Sequence, residues 1–311
     1  MSYGKNEIST VLKLMFVIQC HKISNALEFT VSKLKCIDNV TVFIHVDAKS
    51  DISKFIHLES RNVKLIKDNR VNINWGGCSQ ILLYIKVFEM ISFIDYDYVS
   101  FISGDDLLVK DIETFRHFLR QHNGKEFIGV QNVSSKRFEH RYKFIYPGFM
   151  FQKELSNINK LLRRIFYLAT DFGFFKNKRH CKYNDFYKGS NWFTITKKAS
   201  VYLFSTLKEN KELIDFFDKS YCCDEIFFHT ILMNSSEFKF NVFKYDYPWI
   251  DDNLKSLRYI DWLSGPTYPR VFSAPCLLDI NIPKFVFFCR KIEPNLTVEE
   301  LSCLFDKMNR I

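Results

Sequence analysis

Short apolar runs and helix-spaced apolar positions alternate along the first 130 residues. The runs are four to seven residues long and nearly continuous, which is typical of strands buried on both faces of a parallel sheet. Strands are predicted at residues 14–18, 40–46, 63–66, 98–102 and 126–130, and helices at 24–36, 79–93 and 110–119. This alternation predicts an α/β fold with a Rossmann-like, mostly parallel central sheet flanked by helices.

The pattern changes between residues 131 and 188, where apolar periodicity weakens and Lys, Arg, His and aromatic side chains accumulate. Because the region keeps its aromatic residues, it is predicted to be a partly helical insertion and not a linker. Beyond it, strands are predicted at 189–195, 242–243 and 257–260, and helices at 197–208, at two places within 215–233 and at 297–308. With no internal repeat, residues 1–311 are predicted to form one domain with an embedded insertion.

Composition limits the classes of partner. The 311 residues are 47% hydrophobic and 25% charged, and they include 33 Phe, so the chain has ample material for a globular core. The net charge of +9 favours anionic partners such as nucleotides or phospholipid headgroups. The Lys residues are scattered and form no dense basic arm, so no nucleic-acid partner is expected.

The cysteines and the apolar segments bear on the compartment. Nine Cys is an odd number, and apolar surroundings such as those of Cys289 favour reduced thiols over a disulfide framework. The apolar run 11–18 is interrupted by Lys13 and lacks the length of a signal peptide. No run reaches 18 uninterrupted apolar residues. A cytoplasmic protein is expected, with peripheral contact at the inner face of the membrane.

Carboxylates follow two of the predicted strands. Asp105 and Asp106 come after Gly104 at the end of the strand at 98–102, and ligands of open α/β sheets bind beyond the carboxyl ends of the strands. A solvated turn is the alternative for this Gly-Asp-Asp segment. Asp47 ends another strand and suits either a ribose contact or a helix N-cap. These residues alone leave both alternatives open.

A second set of charged candidates lies late in the chain. Asp224 suits a helix N-cap, and Glu225 beside it is the better candidate for a general base. Arg258, Arg290 and Lys291 lie among apolar residues and suit a clamp on a diphosphate, although ordinary surface charge is the alternative. The dinucleotide fingerprint, the P-loop, the nucleophile elbow and the zincin motif are absent.

Eight short segments occur in an order that resembles the core-2/I-branching β-1,6-N-acetylglucosaminyltransferase family, which also contains the peptide O-xylosyltransferases. The segments are Phe43–Lys49, Asn74–Gln80, Tyr98–Leu107, Gly124–Ile128, Gly189–Trp192, Asp224–Phe227, Leu257–Trp262 and Phe288–Ile292. Each segment by itself is weak evidence for the family, but the eight occur in order and span roughly residues 12–292. The resemblance implies a GT-A-type fold, a UDP-sugar donor, inversion at the anomeric carbon and no divalent metal or other cofactor.

The resemblance also implies roles for individual residues. Glu225 would be the base that deprotonates the acceptor hydroxyl, and Arg258 with Lys291 would bind the donor diphosphate, with Arg290 as a neighbour that shares the role. Further donor-side residues would be His21, Asp47, Trp75, Asp106, Gly189 and Ser190. Residues 10–130 would form the nucleotide-binding half, 131–188 the acceptor side, and 189–311 the catalytic half.

The expected partners follow from the same resemblance. N-acetylglucosamine is the family's commonest donor sugar, and the acceptor would be a glycan or a lipid-linked glycan. Because the chain shows neither anchor nor signal, a bacterial-type member in surface-polysaccharide synthesis is expected. Two alternatives stay open: a metal-dependent sugar-nucleotide transferase that uses Asp105 and Asp106, and a catalytically inactive carbohydrate- or nucleotide-binding protein.

Overall fold

A five-stranded sheet forms the centre of the computed structural model, which describes residues 11–131, 135–152, 154–245, 252–265, 268–273 and 282–310. The strands are β1 (Leu14–Cys20), β2 (Val40–Val46), β3 (Val63–Leu65), β4 (Tyr98–Ser103), β5 (Leu107–Leu108), β6 (Val130–Gln131), β7 (Lys188–Gly189), β8 (Thr194–Thr196), β9 (Arg258–Ile260) and β10 (Phe288–Arg290). The helices are α1 (Asn25–Leu34), α2 (Ser79–Ile91), α3 (Ile112–Gln121), α4 (Lys136–Lys143), α5 (Asn157–Asp171), α6 (Lys197–Glu209), α7 (Glu212–Phe217), α8 (Phe227–Met233), α9 (Asp252–Lys255) and α10 (Val298–Arg310).

The central sheet has the strand order β3-β2-β1-β4-β8. The first four strands are parallel, and β8 joins β4 in the antiparallel direction. Successive residues of β1 point to opposite faces, so that Phe16 and Ile18 enter one hydrophobic cluster and Met15 and Val17 enter the other. Helices α1, α3 and α10 cover the first face, and α2, α6 and α8 cover the second. The predicted fold class is confirmed, and it is consistent with a GT-A-type fold.

A second, three-stranded sheet in the order β5-β10-β9 lies beyond β4. β10 runs parallel to β9, with Phe288 opposite Arg258, and antiparallel to β5, with Cys289 opposite Leu107. Since β5 directly follows Asp105 and Asp106, this sheet brings the cations of β9 and β10 to the end of β4.

Three predicted strands are wrong in extent. Residues 126–130 form isolated bridges and only reach a strand at Val130, because Gly129 adopts a φ of +59° and its chain passes against that of Asp252. Residues 189–195 divide between β7 and β8, which pair with different strands. Residues 242–243 contribute a single bridge, from Val242.

The later helices follow the predicted order with shifted limits. α7 begins at Glu212, and a short 3-10 helix, Cys223–Glu225, precedes α8. The basic region 131–188 contains α4, α5 and the 3-10 helix Gly148–Met150.

Each cysteine in the described ranges is a free thiol; Cys276 lies outside them. Among the same residues, none of the helices combines the length and hydrophobicity needed to span a bilayer.

Gly104 joins β4 to the two carboxylates, and its backbone N–H donates to Gln19 at 2.8 Å. A Cβ at this position would lie 2.6 Å from Cys20 Cβ, whereas a Cβ at Gly148 would meet nothing within 4 Å. The turn therefore needs a residue without a side chain.

We expect Gly104→Ala to lower the free energy of unfolding by about 1–3 kcal/mol, because β1 and the end of β4 must separate to admit the methyl group. Urea denaturation of both variants provides the measurement, with Gly148→Ala as the matched control. Equal midpoints for Gly104→Ala and Gly148→Ala would contradict the close approach of the two chains.

Candidate active site

Four of the sequence-predicted residues lie at the carboxyl edge of the central sheet. His21 follows β1, Asp47 follows β2, and Asp105 and Asp106 follow β4. Because these strands are parallel neighbours, their ends meet at one crevice, where ligands of α/β sheets bind.

Asp106 is the buried anion of this edge. Its side chain is fully enclosed, and its Oδ2 accepts the N–H of Ser103 at 2.8 Å and lies 3.2 Å from Nη2 of Arg258. Its Oδ1 lies 3.1 Å from Nη1 of Arg290. One carboxylate thus joins the strand end of β4 to the cations of β9 and β10.

Arg258 lies beneath the crevice surface. It is 1% exposed, and its Nη1 donates to the carbonyl of Trp192 at 2.9 Å. Burial lowers the pKa of Arg258 from its ordinary value, and the neighbouring Asp106 opposes that shift. The guanidinium lies over the ring of Phe288 at 5.2 Å from its centre. In this arrangement Arg258 binds protein groups, and Arg290 and Lys291 are the cations nearer to solvent.

Arg290 and Lys291 reach the crevice with partly exposed side chains. Arg290 lies 5.3 Å from the centre of the Trp192 ring, and Nζ of Lys291 lies 3.4 Å from Oδ2 of Asp105. Burial alone would raise the pKa of Asp105, but Arg290, Lys291 and Lys22 outweigh it and hold that pKa below its ordinary value. Asp105 is therefore an anion at neutral pH.

Asp47 and His21, the candidate nucleotide contacts, differ in their surroundings. Asp47 is buried, and its Oδ1 accepts the N–H of Lys49 at 2.9 Å. It is not a helix N-cap, since Asp51 caps the 3-10 helix that follows. His21 has an exposed surface, but partial desolvation by the surrounding protein lowers the pKa of its ring, and the charge of Asp105 opposes that shift. His21 therefore lies close enough to Asp105 for the two to interact.

Glu225 ends the 3-10 helix that precedes α8, and its side chain is about one third exposed. Arg141 of α4 forms a salt bridge with its Oε2, and Nζ of Lys188 lies 3.6 Å from the same atom. Both cations belong to the basic region 131–188. The region therefore lies directly against the candidate base.

The prediction that Asp224 is a helix N-cap is wrong, because its side chain caps neither the 3-10 helix nor α8. Its Oδ2 accepts the amide of Asn191 at 2.8 Å, and its Oδ1 is buried without a hydrogen-bond partner. Burial, together with the charge of Glu225, raises the pKa of Asp224 to about 7. The pair thus contains one carboxyl that holds a proton readily and one carboxylate held by cations.

Residues Gly189–Trp192 connect the cation cluster to this carboxylate pair. A Cβ on Gly189 would lie 2.3 Å from Nε2 of His229, so only glycine fits there. Ser190 is buried and accepts the N–H of Trp192 at 3.3 Å. Asn191 binds Asp224, and Trp192 binds Arg258.

Trp75 lies on the Glu225 side of the crevice. It is 49% exposed and packs edge-on against Tyr221, with ring centres 5.8 Å apart. The carbonyl of Gly76 next to it accepts the N–H of Cys222 at 2.7 Å. The exposed indole is therefore held close to the turn that carries Glu225.

A cavity of about 700 Å³ opens beside Glu225 and has a strongly basic lining. Its walls consist of Lys136, Arg137, His140, Arg141, Tyr146, Arg163, Arg164, Tyr167, Asp171 and Tyr221. Arg141 belongs to this lining and also forms the salt bridge with Glu225, so the cavity lies next to the candidate base. Its size suits a sugar-sized ligand.

Sequence reasoning missed four residues that complete the site: Arg141, Lys188, Asn191 and Trp192. Arg141 stands in the basic run of region 131–188, and Asn191 and Trp192 stand in one of the recognised segments. No sequence signal paired Arg141 with Glu225.

The carboxylates at the end of β4 are the metal ligands that a metal-dependent transferase would use. Asp105 faces Lys291, and Asp106 faces Arg258 and Arg290. Within the described ranges, His, Cys, Asp and Glu side chains form no group of three or more that could hold a metal ion.

The chain is similar to known proteins over most of its length. A family model described as "Branch: Core-2/I-Branching enzyme" matches residues 16–283. Xylosyltransferase sqv-6 of Caenorhabditis briggsae is 23% identical over 270 residues, covering 84% of this chain and 30% of that protein. Xylosyltransferase oxt of Drosophila melanogaster is 22% identical over 281 residues, covering 81% and 28%. The chain therefore spans under a third of the length of these relatives.

Replacing Asp106 by Asn should reduce stability strongly, by about 3–5 kcal/mol, because Arg258 would keep its burial and lose its counter-ion. Asp95→Asn is the control: Asp95 forms a salt bridge with Lys13 but is 71% exposed, and because water screens such a pair its loss should change stability little. Chemical denaturation measures both. Similar losses in the two variants would show that the buried cluster does not hold this edge together.

Proposed function

We propose that this chain, which belongs to the Core-2/I-branching enzyme family, is an inverting glycosyltransferase. It would move a sugar from a UDP-sugar to a hydroxyl of a glycan or glycolipid. The observation that supports this most directly is that adjacent residues of one segment contact both parts of the site: Trp192 packs against Arg290, and Asn191 binds Asp224, the neighbour of Glu225. A diphosphate site and a base on the same crevice are what such a transfer needs. The names of the xylosyltransferase relatives agree with it.

The donor diphosphate would bind to Arg290 and Lys291. Their charged groups lie nearer to solvent, whereas Arg258 is enclosed and holds Asp106 in place from below. Arg258 would thus support the clamp through Asp106, a change from its expected direct contact. Guanidinium and ammonium groups match phosphate oxygens well. The uridine would extend towards His21 and Asp47.

Two cations in this position would also replace a divalent metal. As UDP leaves, negative charge develops on its diphosphate, and Arg290 and Lys291 would stabilise it. Asp105 and Asp106 are already neutralised by these cations and by Arg258. They therefore have little capacity left to hold Mg²⁺ or Mn²⁺.

Glu225 would act as the base. The acceptor hydroxyl oxygen attacks the anomeric carbon from the face opposite UDP, the bond from that carbon to the diphosphate breaks, and the hydroxyl proton passes to Glu225. Arg141 and Lys188 hold the carboxylate in position before the reaction. Trp75 and Ser190 would line the sugar pocket on either side, with Gly189 allowing the chain to approach His229.

The acceptor would enter through the basic cavity beside Glu225. Its arginines and lysine favour a glycan with an anionic group, such as an acidic sugar or a lipid-linked diphosphate. A role in bacterial surface-polysaccharide synthesis fits such an acceptor. N-acetylglucosamine is the proposed donor sugar, and xylose is the alternative suggested by the names of the relatives.

Calorimetric titration with UDP and with a panel of UDP-, GDP- and CMP-sugars tests the donor site. Selective binding of UDP compounds should survive EDTA, and Lys291→Ala should weaken it at least about tenfold by removing a charged phosphate contact. Lys208→Ala, an exposed lysine of α6, is the control. Binding that disappears with EDTA would favour a metal at Asp105 and Asp106 instead.

Substitution of Glu225 by Gln should lower transfer about 10²–10⁴-fold, because the amide cannot take the hydroxyl proton. UDP affinity should stay close to that of the wild type. Asp224→Asn is the matched control, since it changes the adjacent carboxyl and keeps an acceptor for Asn191. Unchanged turnover in Glu225→Gln would refute the base assignment. Nucleotide binding without transfer to any acceptor would favour the inactive binding protein.

A further inference from the structure

Helix α5 is amphipathic, but most of its large apolar side chains face solvent instead of the core. Its buried residues are only Phe166 and Thr170, and the cavity beside Glu225 is lined by its polar face. Its apolar stripe faces solvent and consists of Ile158, Leu161, Leu162, Ile165 and Leu168. A surface helix normally turns such a stripe towards the core.

The stripe follows helical spacing, and exposed apolar side chains continue past the end of the helix. Ile158, Leu161, Leu162 and Ile165 recur at i, i+3, i+4 and i+7, the pattern of one helix face. Ile158 is 73% exposed and Leu168 62%. Directly after α5 the chain exposes three further rings, Phe172, Phe174 and Phe175. Eight large apolar side chains exposed in one short segment exceed the scattered exposure expected of a soluble protein.

Cationic side chains flank this apolar patch. The exposed lysines of α5 and of the turn after it are Lys160, Lys176 and Lys178, whereas Arg163 and Arg164 line the cavity. The exposed acid of the same segment, Asp171, pairs with Lys136. The surface therefore combines apolar groups with net positive charge.

We propose that the outer face of α5 and the Phe172–Phe175 turn dock on an anionic phospholipid surface. The apolar side chains would enter the boundary between headgroups and acyl chains, and the exposed lysines would meet the phosphates. A second copy of this chain is the poorer occupant, because a symmetric contact would bring the same cations against each other. Docking does not depend on the proposed transfer reaction.

This position has a geometric consequence for the cavity. Arg163, Arg164 and Tyr167 line the cavity from the opposite side of α5. A membrane under the apolar face would therefore lie about one helix diameter, roughly 10 Å, from the cavity wall. The glycan of a lipid-linked acceptor could then enter the cavity next to Glu225 while its lipid stays in the bilayer.

Vesicle flotation tests the proposal with the full chain. We expect binding to vesicles that contain phosphatidylglycerol, little binding to pure phosphatidylcholine, and weaker binding at high salt. The triple variant Leu161→Gln, Ile165→Gln, Leu168→Gln should lose at least tenfold in affinity. These side chains are exposed, so the variant should unfold at the same denaturant concentration as the wild type.

The control variant carries Phe93→Gln and Phe240→Gln, which remove exposed rings at two other places, 95% and 70% exposed. It should float like the wild type. Lys160→Glu with Lys178→Glu should weaken binding to anionic vesicles only. UDP binding by the triple variant separates this proposal from the previous one, because it should be unchanged.

Three results would overturn the proposal. They are absence of wild-type binding to anionic vesicles, equal binding by the triple and control variants, and a wild-type dimer in solution that the triple variant loses. The last result would show that a second copy covers this face.

Discussion

Asp106 binds two arginines at once in the interior of the protein, and the candidate site is built around this cluster. Removing these charges from water is costly, and the cost is offset only when geometry and hydrogen bonds are good. Asp106 meets both demands, since Ser103 supplies a backbone donor and Arg258 and Arg290 supply the countercharge. The cluster therefore fixes the end of β4 relative to β9 and β10.

The second half of the site is attached to that cluster by backbone. The Trp192 carbonyl accepts from Arg258, and one residue earlier Asn191 binds Asp224. Gly189 fits against His229 without a side chain, so this segment has little freedom to move. The candidate diphosphate cations and the carboxylate pair thus share one connecting segment, and such a fixed arrangement is the preorganisation that the proposed charge stabilisation would require.

The sequence was informative where burial or strand ends decide the structure. The strands of the parallel sheet were predicted because they are apolar throughout, and the position of Asp105 and Asp106 followed from the edge at which such strands end. The limits of strands were less predictable where a distant segment of the same chain determines them, as at Gly129. The tight turn there depends on Asp252, more than a hundred residues away.

Side-chain partners were the least predictable part of the site. The salt bridge from Arg141 to Glu225 joins residues 84 positions apart, and neither residue has a local signal for the other. Arg258 illustrates the same limit from the opposite side. Its apolar neighbours marked it as unusual, but only the pairing of β9 with β10 and the contact with Asp106 show that its charge is neutralised inside the protein.

The way in which Glu225 is held bears on the choice of hydroxyl. Arg141 and Lys188 both contact Oε2, and no cation within the described ranges lies in a salt bridge with Oε1. A carboxylate fixed through one oxygen presents the other in a single direction. Sugar hydroxyls differ in direction much more than in acidity, so the one that meets Oε1 would be selected by its orientation. Regioselectivity would then originate in two cations that never touch the bond being formed.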